Sequence, residues 1–166
     1  MITLRPASAA DEALLLKWAN DPATRAAGFR PALITPDEHH LWLSSRLSSE
    51  AGRLFIGMSQ DGPIGQVRMD RDAEGRVEIG ISVAPEARGR GIGKALLDAA
   101  LQAASRDEDL AARAFIARIR PENPISQALF EGAGFRLLSA TEVNGVPCLL
   151  YAADVRSSDP PGRRTA

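Results

Sequence analysis

The 166-residue chain combines 45% hydrophobic and 25% charged residues with a formal net charge of −1. That is the composition of one globular domain with a sizeable core, and it gives no electrostatic case for a nucleic-acid or anionic-membrane partner. A single cysteine, Cys148, excludes an intramolecular disulfide and a multi-cysteine metal site. No apolar run approaches the length of a membrane span, and we expect a cytoplasmic protein.

Helices and strands are predicted to alternate along residues 1–155, with a disordered tail at 156–166. The clearest boundaries are the helix entry at Thr35-Pro36, where a capping residue precedes proline, and the hairpin turn at Asn144-Gly145. The predicted segments are a strand (2–5), two helices (8–20 and 35–47) joined by a loop (23–34), three strands (53–58, 64–69 and 78–83), a helix (91–105), a strand (114–119), a helix (123–132) and two strands (135–143 and 146–153). The order β-α-α-β-β-β-α-β-α-β-β predicts a mixed α/β domain around a sheet of six or seven strands.

A glycine-rich loop between a strand and a helix is the most informative stretch. Ile79, Ile81 and Val83 alternate with smaller or polar residues, as in a half-buried strand, and a helical run follows Lys94. Between them, residues 88–94 read R-G-R-G-I-G-K. Glycines let the main chain approach an anion closely, the start of the next helix offers free N–H groups, and three cations add charge. The pattern predicts a phosphate or pyrophosphate site; the alternative is a basic turn that only starts a helix.

Two motifs together resemble those of the GNAT acetyltransferase superfamily. Residues 88–93 match the Q/R-x-x-G-x-G/A loop of that family, and residues 123–135, N-P-I-S-Q-A-L-F-E-G-A-G-F, look like its second motif. The element order also fits the family over residues 1–153. The resemblance implies an α/β single-domain GNAT fold with a splayed central strand pair, and acetyl-CoA as co-substrate without a metal.

The resemblance further implies which positions hold acetyl-CoA. The main chain of the strand would pair with the pantetheine arm, and the N–H groups of the loop would take the pyrophosphate. Those strand and loop positions are Ile81, Ser82, Val83, Arg88, Gly89, Arg90, Gly91, Ile92, Gly93 and Lys94. Asn123 would contact the pantetheine, cap its helix, or do both, while Ser126 and Phe130 would line the thiol end. Many family members carry tyrosine at the Phe130 position to protonate the thiolate, so the acid is left open between water, Ser126 and no specific group.

Acetyl transfer to an amine needs a proton acceptor, since an alkylammonium has a pKa of about 10.4. Glu78 is the candidate base, on the strand beside the expected thioester; its alternative is a structural ion pair with a neighbour such as Arg68. The backbone N–H of Val83 is the candidate polariser of the thioester carbonyl. Direct attack needs no covalent enzyme intermediate, so we expect Cys148 to be a small core residue.

The first two helices are predicted to supply the acceptor pocket. His39 and Trp42 share one face of the second helix and form a candidate wall, the alternative being a core tryptophan beside a surface histidine. The segments W-x-N-D-P-x-x-R (18–25) and H-x-x-W (39–42) resemble those of GNAT enzymes that process amino-dideoxy nucleotide sugars of nonulosonic (pseudaminic-type) acid biosynthesis. That resemblance implies that Asn20 and His39 meet the sugar and that Arg25 or Arg30 meets a phosphate.

The predicted reaction is therefore acetyl transfer from acetyl-CoA to a primary amine of a small molecule. A protein or peptide N-terminal amine is the alternative acceptor, and a non-catalytic acyl-CoA-binding module is a more remote reading. We expect no nucleic-acid or membrane partner, and a monomer or a homodimer.

Overall fold

The computed structural model describes residues 1–155, so the predicted tail at 156–166 and its boundary lie outside the described residues. Within residues 1–155, seven strands form one mixed sheet in the order β1-β2-β3-β4-β5-β7-β6, and β4 and β5 are its one parallel pair. The strands are β1 (Thr3–Pro6), β2 (Gly52–Ser59), β3 (Gly62–Arg71), β4 (Arg76–Val83), β5 (Ala114–Ile119), β6 (Arg136–Val143) and β7 (Val146–Asp154). The helices are α1 (Glu12–Ala19), α2 (Pro22–Ala27), α3 (Pro36–Leu47), α4 (Ile92–Arg106) and α5 (Pro124–Gly132), with 3-10 turns at Ala9–Asp11 and Pro85–Ala87.

The prediction of a loop over residues 23–34 is wrong in its first part, where α2 lies. The sequence Asp21-Pro22 is a capping residue followed by proline, the same signal that starts α3. The Asp21 carboxylate accepts a hydrogen bond from the N–H of Thr24 at 3.1 Å. The element order therefore contains one more helix than the sequence pattern predicted, β-α-α-α-β-β-β-α-β-α-β-β.

The start of α3 is formed as the sequence predicts. Thr35 Oγ1 accepts a hydrogen bond from the N–H of Glu38 at 3.2 Å, and the Glu38 carboxylate accepts one from the N–H of Thr35 at 3.1 Å. This reciprocal capping satisfies N–H groups that a helix start otherwise leaves free. It sets the direction in which α3 leaves the preceding segment.

Helices cover both faces of the sheet. On one face, Leu96 of α4 packs against Gly57 and Gly65, which lie opposite each other on β2 and β3. A Cβ atom at Gly65 would lie 2.4 Å from the carbonyl oxygen of Ser82, so the close approach there requires glycine. Side chains alternate between the two faces of a strand, and Gly65 and Asp70 have opposite parity on β3. The Asp70 side chain therefore points to the other face of the sheet, where it pairs with Arg46 of α3.

The sheet opens between β4 and β5. Their ladder contains three residue pairs and ends where Glu78 lies opposite Ile116. Beyond that point, among residues 1–155, β4 continues to Val83 against β3 alone, and β5 continues to Ile119 against β7 alone. The predicted sheet with a splayed central strand pair is confirmed. The gap is closed at Glu78 and open at the end of β4 that leads to the glycine-rich loop.

Candidate active site

The glycine-rich loop, residues 88–94, leads into α4 with its main chain open to solvent. Gly89 and Gly91 have φ values of +77° and +72°, in the left-handed region, and Gly91 is the N-cap of the 15-residue helix α4. Within the described residues, no side chain caps this helix start. The N–H groups of the first turn are therefore available to an anion, and the helix dipole favours one. This local geometry fits the pyrophosphate of a coenzyme A molecule.

The cationic side chains of the loop have different surroundings. Arg88 donates to the Asp21 carboxylate at 2.7 Å and to Thr24 Oγ1 at 3.2 Å, and this contact holds the pKa of Asp21 below its usual value. Lys94 pairs with Asp98 one turn along α4 at 2.7 Å, while Arg90 is exposed. The Arg88 side chain thus binds α2, so its predicted part in holding the cofactor rests on its main chain.

The free edge of β4 faces the gap. Ala84 N–H donates to the carbonyl of Ile64 on β3 at 2.8 Å. Because successive N–H groups of a strand point in opposite directions, the N–H of Ser82 points toward β3, whereas those of Ile81 and Val83 point into the gap. An unpaired edge of this kind is a template for an added strand. It suits an extended amide-containing arm such as pantetheine, and it points the N–H of Val83 to the side where that arm would lie.

The second motif forms the start and the buried face of α5. Asn123 is the N-cap, and its side-chain oxygen accepts a hydrogen bond from the N–H of Ser126 at 3.1 Å. Phe130 is buried and meets Phe135 edge to face, with ring centroids 5.0 Å apart. The capping alternative for Asn123 is thus formed, whereas a contact of Asn123, Ser126 or Phe130 with acetyl-CoA stays a prediction.

Glu78 lies where β4 and β5 part, and its carboxylate is ion-paired with Arg118 of β5. The side chains of Glu78 and Arg118 are 21% and 30% exposed, so the pair is neither sealed in the core nor fully solvated. Arg68 is the partner that the sequence suggested for Glu78, but its Nε lies 3.2 Å from Oδ2 of Asp70. Glu78 therefore occupies the predicted place with a different partner, and its catalytic role stays a prediction.

His39 and Trp42 are in contact on α3, with ring centroids 5.4 Å apart. His39 is 2% exposed, and neither ring nitrogen has a hydrogen-bond partner among the described residues. Burial lowers the pKa of His39, which favours a neutral ring. Trp42 is the less buried of the two, the reverse of the alternative that placed the tryptophan in the core and the histidine outside. His40 is exposed, as expected, with Nδ1 2.7 Å from Glu12.

Asn20 and Arg25 both bind main-chain groups near α2. The Asn20 amide exchanges two 2.8 Å hydrogen bonds with the main chain of Ile34. Arg25 donates to the carbonyls of Ala19 at 2.6 Å and Arg30 at 2.9 Å. These contacts fix the segment between α1 and α3, and acceptor binding by either residue stays a prediction.

The sequence pattern did not single out Arg118 of β5 or Arg120, which follows the end of that strand. Arg118 interrupts the apolar strand A-F-I-A-R-I, which is a signal that could have singled it out. Arg120 donates to the carbonyls of Ala26 at 3.0 Å and Gly28 at 3.3 Å, and nothing in the sequence indicates that contact across more than ninety residues. Arg88, which follows β4, thus holds the start of α2, and Arg120, which follows β5, holds the last turn of α2.

The one cysteine and the one tyrosine of the sequence are both buried. Cys148 is 1% exposed, and burial raises the pKa of its thiol, as suits a core residue. Tyr151 is buried on β7 and donates to Glu131 at 3.0 Å, and burial raises its pKa. No cluster of three or more histidine, cysteine or acidic residues that could hold a metal occurs within residues 1–155. No helix of that same range is long and apolar enough to cross a membrane.

Comparison with known proteins gives one family and one fold. The family model of the acetyltransferase (GNAT) domain matches residues 1–136. A spermidine N-acetyltransferase from Vibrio cholerae, in complex with CoA and spermine, superposes with a TM-score of 0.82 at 21% identity, covering 93% of this chain and 95% of that one. An aminoglycoside acetyltransferase in complex with coenzyme A gives 0.79 at 20% identity, with 93% and 95% coverage. A GNAT-family acetyltransferase from Streptococcus pneumoniae gives 0.72 at 18% identity, with 94% and 100% coverage.

No curated protein sequence matches the chain significantly. The structural similarities, at these low identities, establish a shared fold, and the family model adds the sequence signature over most of the chain. The open helix start and the free strand edge fit the pyrophosphate and pantetheine of the family's co-substrate. The chain belongs to the GNAT acetyltransferase family and is an acetyl-CoA-dependent N-acetyltransferase.

Proposed function

We propose that the enzyme acetylates the primary amine of a small molecule by direct attack, with amino-sugar nucleotides as the first acceptor class to test. The observation that carries the proposal is the gap between β4 and β5, with Glu78 at its closed end and the N–H of Val83 directed into it. Attack within that gap requires a base and a carbonyl polariser, and these two groups supply them.

Acetyl-CoA supplies an activated acetyl thioester when it is bound. The loop N–H groups from Arg88 to Lys94 hold the pyrophosphate, and the main chain of residues 81–83 holds the pantetheine. Asn123 and Ser126 flank the pantetheine at the start of α5, with Phe130 beneath the thiol end. The support for these roles is the exposed left-handed glycines, the absence of a side-chain cap on α4 among the described residues, and the unpaired strand edge.

Glu78 accepts the proton that the acceptor ammonium must lose, directly or through water. The amine nitrogen then forms its bond to the acetyl carbon as the carbon–sulfur bond breaks, and the sulfur retains the bonding electrons. The nitrogen loses its second proton to water as the neutral amide forms. The N–H of Val83 donates to the carbonyl oxygen while negative charge develops there. Phe130 cannot protonate the sulfur, but a thiol pKa of about 8.5 makes the thiolate a tolerable leaving group near neutral pH.

Arginines that follow the two splayed strands anchor α2. Arg88 holds its N-cap residue and Arg120 its last carbonyls, so α2 is tied to both arms of the gap. The spermidine and aminoglycoside acetyltransferases that share the fold also act on small amines. The acceptor resemblance at residues 18–25 and 39–42 selects amino-sugar nucleotides, with Asn20, Arg25, His39 and Trp42 near the acceptor.

The test is release of free thiol from acetyl-CoA in the presence of amino-sugar nucleotides, N-terminal peptides or polyamines. We expect release with a small-molecule amine and none with peptides. Activity confined to peptides would replace the proposal by the peptide acetyltransferase. Stabilisation by CoA without thiol release for any amine would instead identify a binding module.

A further inference from the structure

We infer that the acceptor carries an oxyanion close to its reactive amine, and that Arg118 binds this oxyanion while Glu78 binds the amine. The inference rests on the proposed function and names the acceptor chemistry of the same site. The oxyanion has two sources, the carboxylate of an amino acid or the phosphate of an amino-sugar nucleotide. Both present a planar or tetrahedral group that a guanidinium binds in two-point fashion.

The Glu78–Arg118 pair lies at the point where β4 and β5 separate. Glu78 is the last residue of β4 that pairs with β5, and its ladder partner is Ile116. Arg118 lies two residues beyond Ile116 on β5. The ion pair therefore crosses the gap just where the strands separate. Both side chains retain partial solvent exposure, 21% and 30%, so a molecule entering the gap reaches them without disrupting the core.

Charged side chains surround the pair on the same face of the sheet. Asp70 lies opposite Glu78 on β3 and contacts two arginines, Arg46 of α3 and Arg68. The guanidinium of Arg68 lies over Gly80, where an added Cβ atom would be 3.5 Å from Nη2. The Glu78–Arg118 pair and this neighbouring set of ion pairs together contain three arginines and two carboxylates, an excess of one positive charge.

Arg76 also faces this side of β4, at the closed end of the strand pair. It is paired with Asp72, whose carboxylate lies 2.7 Å from its Nε, and its Nη2 lies 3.8 Å from a carboxylate oxygen of Glu74. This set carries one net negative charge, but the Glu74 side chain is 69% exposed, so solvent screens that charge from the Glu78–Arg118 pair.

An incoming ammonium changes this balance. When Glu78 accepts the proton of the ammonium it becomes neutral, so its carboxylate no longer balances the charge of Arg118. An acceptor with no negative group would leave the half-buried guanidinium unpaired and raise the local charge excess from one to two. Uncompensated charge in a partly desolvated site is costly. An acceptor with a neighbouring oxyanion restores a partner to Arg118, so the ion pair exchanges partners without losing one.

The experiment compares matched acceptors in the thiol-release assay. The pairs are an α-amino acid with its carboxamide and an amino-sugar nucleotide with the free amino sugar, with spermidine as a polycation. We expect the oxyanion-bearing member of at least one pair to have a kcat/KM about tenfold or more above its neutral partner, and spermidine to be poor. The pair that shows the preference identifies the source of the oxyanion.

Equal or better use of the neutral partners or of spermidine would overturn the inference and leave the proposed function standing. Thiol release with none of these acceptors would overturn both.

Variants of Arg118 test the assignment to this residue. Arg118→Gln should raise KM for the oxyanion-bearing acceptor about tenfold to a hundredfold, the loss expected for a charged hydrogen bond, and remove the preference over the neutral partner. KM for acetyl-CoA should not change, and Arg118→Lys should restore part of the preference. Arg106→Gln makes the same charge change on an exposed residue of α4 and should match the wild type.

An Arg118→Gln enzyme that kept its preference would overturn the assignment. If that variant is too unstable to assay, Arg118→Lys alone decides, since loss of two-point binding should still raise KM.

Discussion

At the scale of single residues, the side chains that matter most here have neighbours that the sequence does not show. Glu78 pairs with Arg118 rather than Arg68, and the side chain of His39 is buried against Trp42. Both residues can exchange a proton with solvent or substrate. Each therefore gives a prediction whose readout is a dependence on pH.

Burial of His39 should make the stability of the protein fall in mild acid. The pKa of His39 is lowered in the folded state, so folding favours the neutral ring relative to an unfolded value of about 6.5. The free energy of unfolding therefore keeps its full value above that pH and decreases as pH falls below it. The reason is that the unfolded chain then binds a proton at His39, while the folded chain has a lower affinity for that proton. Urea midpoints measured between pH 7 and pH 5 should fall for the wild type and fall less for His39→Leu.

His40→Gln is the matched control for His39→Leu, since His40 is exposed beside Glu12. It should retain the wild-type dependence on pH. An unchanged slope in His39→Leu would show that the buried ring is not the source.

Replacement of Glu78 should slow acetyl transfer most at low pH. Glu78→Gln removes the proton acceptor when the amine is an ammonium, and general-base catalysis typically contributes about 10²–10⁴-fold. The deficit should shrink as pH rises, because an increasing fraction of the amine is already neutral. Steady-state rates from pH 6 to pH 10 give this profile, with acetyl-CoA affinity unchanged. A profile parallel to that of the wild type would remove Glu78 as the base.

At the scale of elements, the start of α4 and the short helix α2 are held in opposite ways. Within residues 1–155, the first has no side-chain contacts to its free N–H groups, and the second is held by side chains at both ends. The start of α4 has no side-chain cap among the described residues, which leaves its N–H groups for a ligand. In contrast, α2 has only six residues and would not be stable alone, so its position depends on the two arginines at its ends.

Gly91→Asp should abolish acetyl-CoA binding, because its carboxylate would stand at the helix start that we propose as the pyrophosphate site. Gly91→Asn is the matched control: asparagine has the same shape without the charge and tolerates the left-handed φ of +72°. Calorimetric titration with CoA should give no measurable binding for the aspartate variant and retained binding for the asparagine variant. Wild-type affinity in Gly91→Asp would contradict the cofactor assignment for the loop.

Arg120→Ala should loosen α2 while leaving the sheet intact. It removes two hydrogen bonds from a cation to the last carbonyls of the helix, worth together about 1–3 kcal/mol. Hydrogen exchange of residues 22–28 should accelerate, with β2 and β3 unaffected, and Arg120→Lys should restore part of the protection. Unchanged protection of residues 22–28 would show that Arg120 does not hold α2.

At the scale of the whole molecule, the sheet is divided at the gap into β1–β4 and β5–β7, joined by a three-pair ladder. A bound pantetheine arm would supply some of the missing pairing. Ligand binding to the folded state alone adds about 2.7 kcal/mol of stability at one hundred times the dissociation constant. Part of that gain should appear as protection of the free strand edge.

Acetyl-CoA should therefore slow the exchange of alternate amides on β4. The N–H groups of Ile81 and Val83 point into the gap and should gain protection, whereas that of Ser82 points toward β3 and should change little. Exchange of single amides followed by NMR, with and without CoA, measures the difference. Equal protection at all three positions, or none, would contradict pairing of the co-substrate with this edge.

The sequence by itself determined the family and most of the element boundaries, because the signals involved are local. The glycine spacing at 88–94, the caps at Thr35 and Asn123 and the strand alternation at 79–83 each depend on neighbours within a few residues. The one error of element type, at α2, also has a local signal, the capping residue and proline at Asp21-Pro22.

Only the tertiary structure decided which charges meet. Arg118 is 40 residues from Glu78, and Arg88 is 67 residues from Asp21. Such pairs depend on the register of β4 against β5 and on where α2 lies, which no periodicity encodes. The predicted acetyl-CoA half of the site depends on local signals, because helix starts and glycine turns recognise phosphate through neighbouring residues. The proposed acceptor half depends on the fold, since its side chains come together only at the gap between two strands.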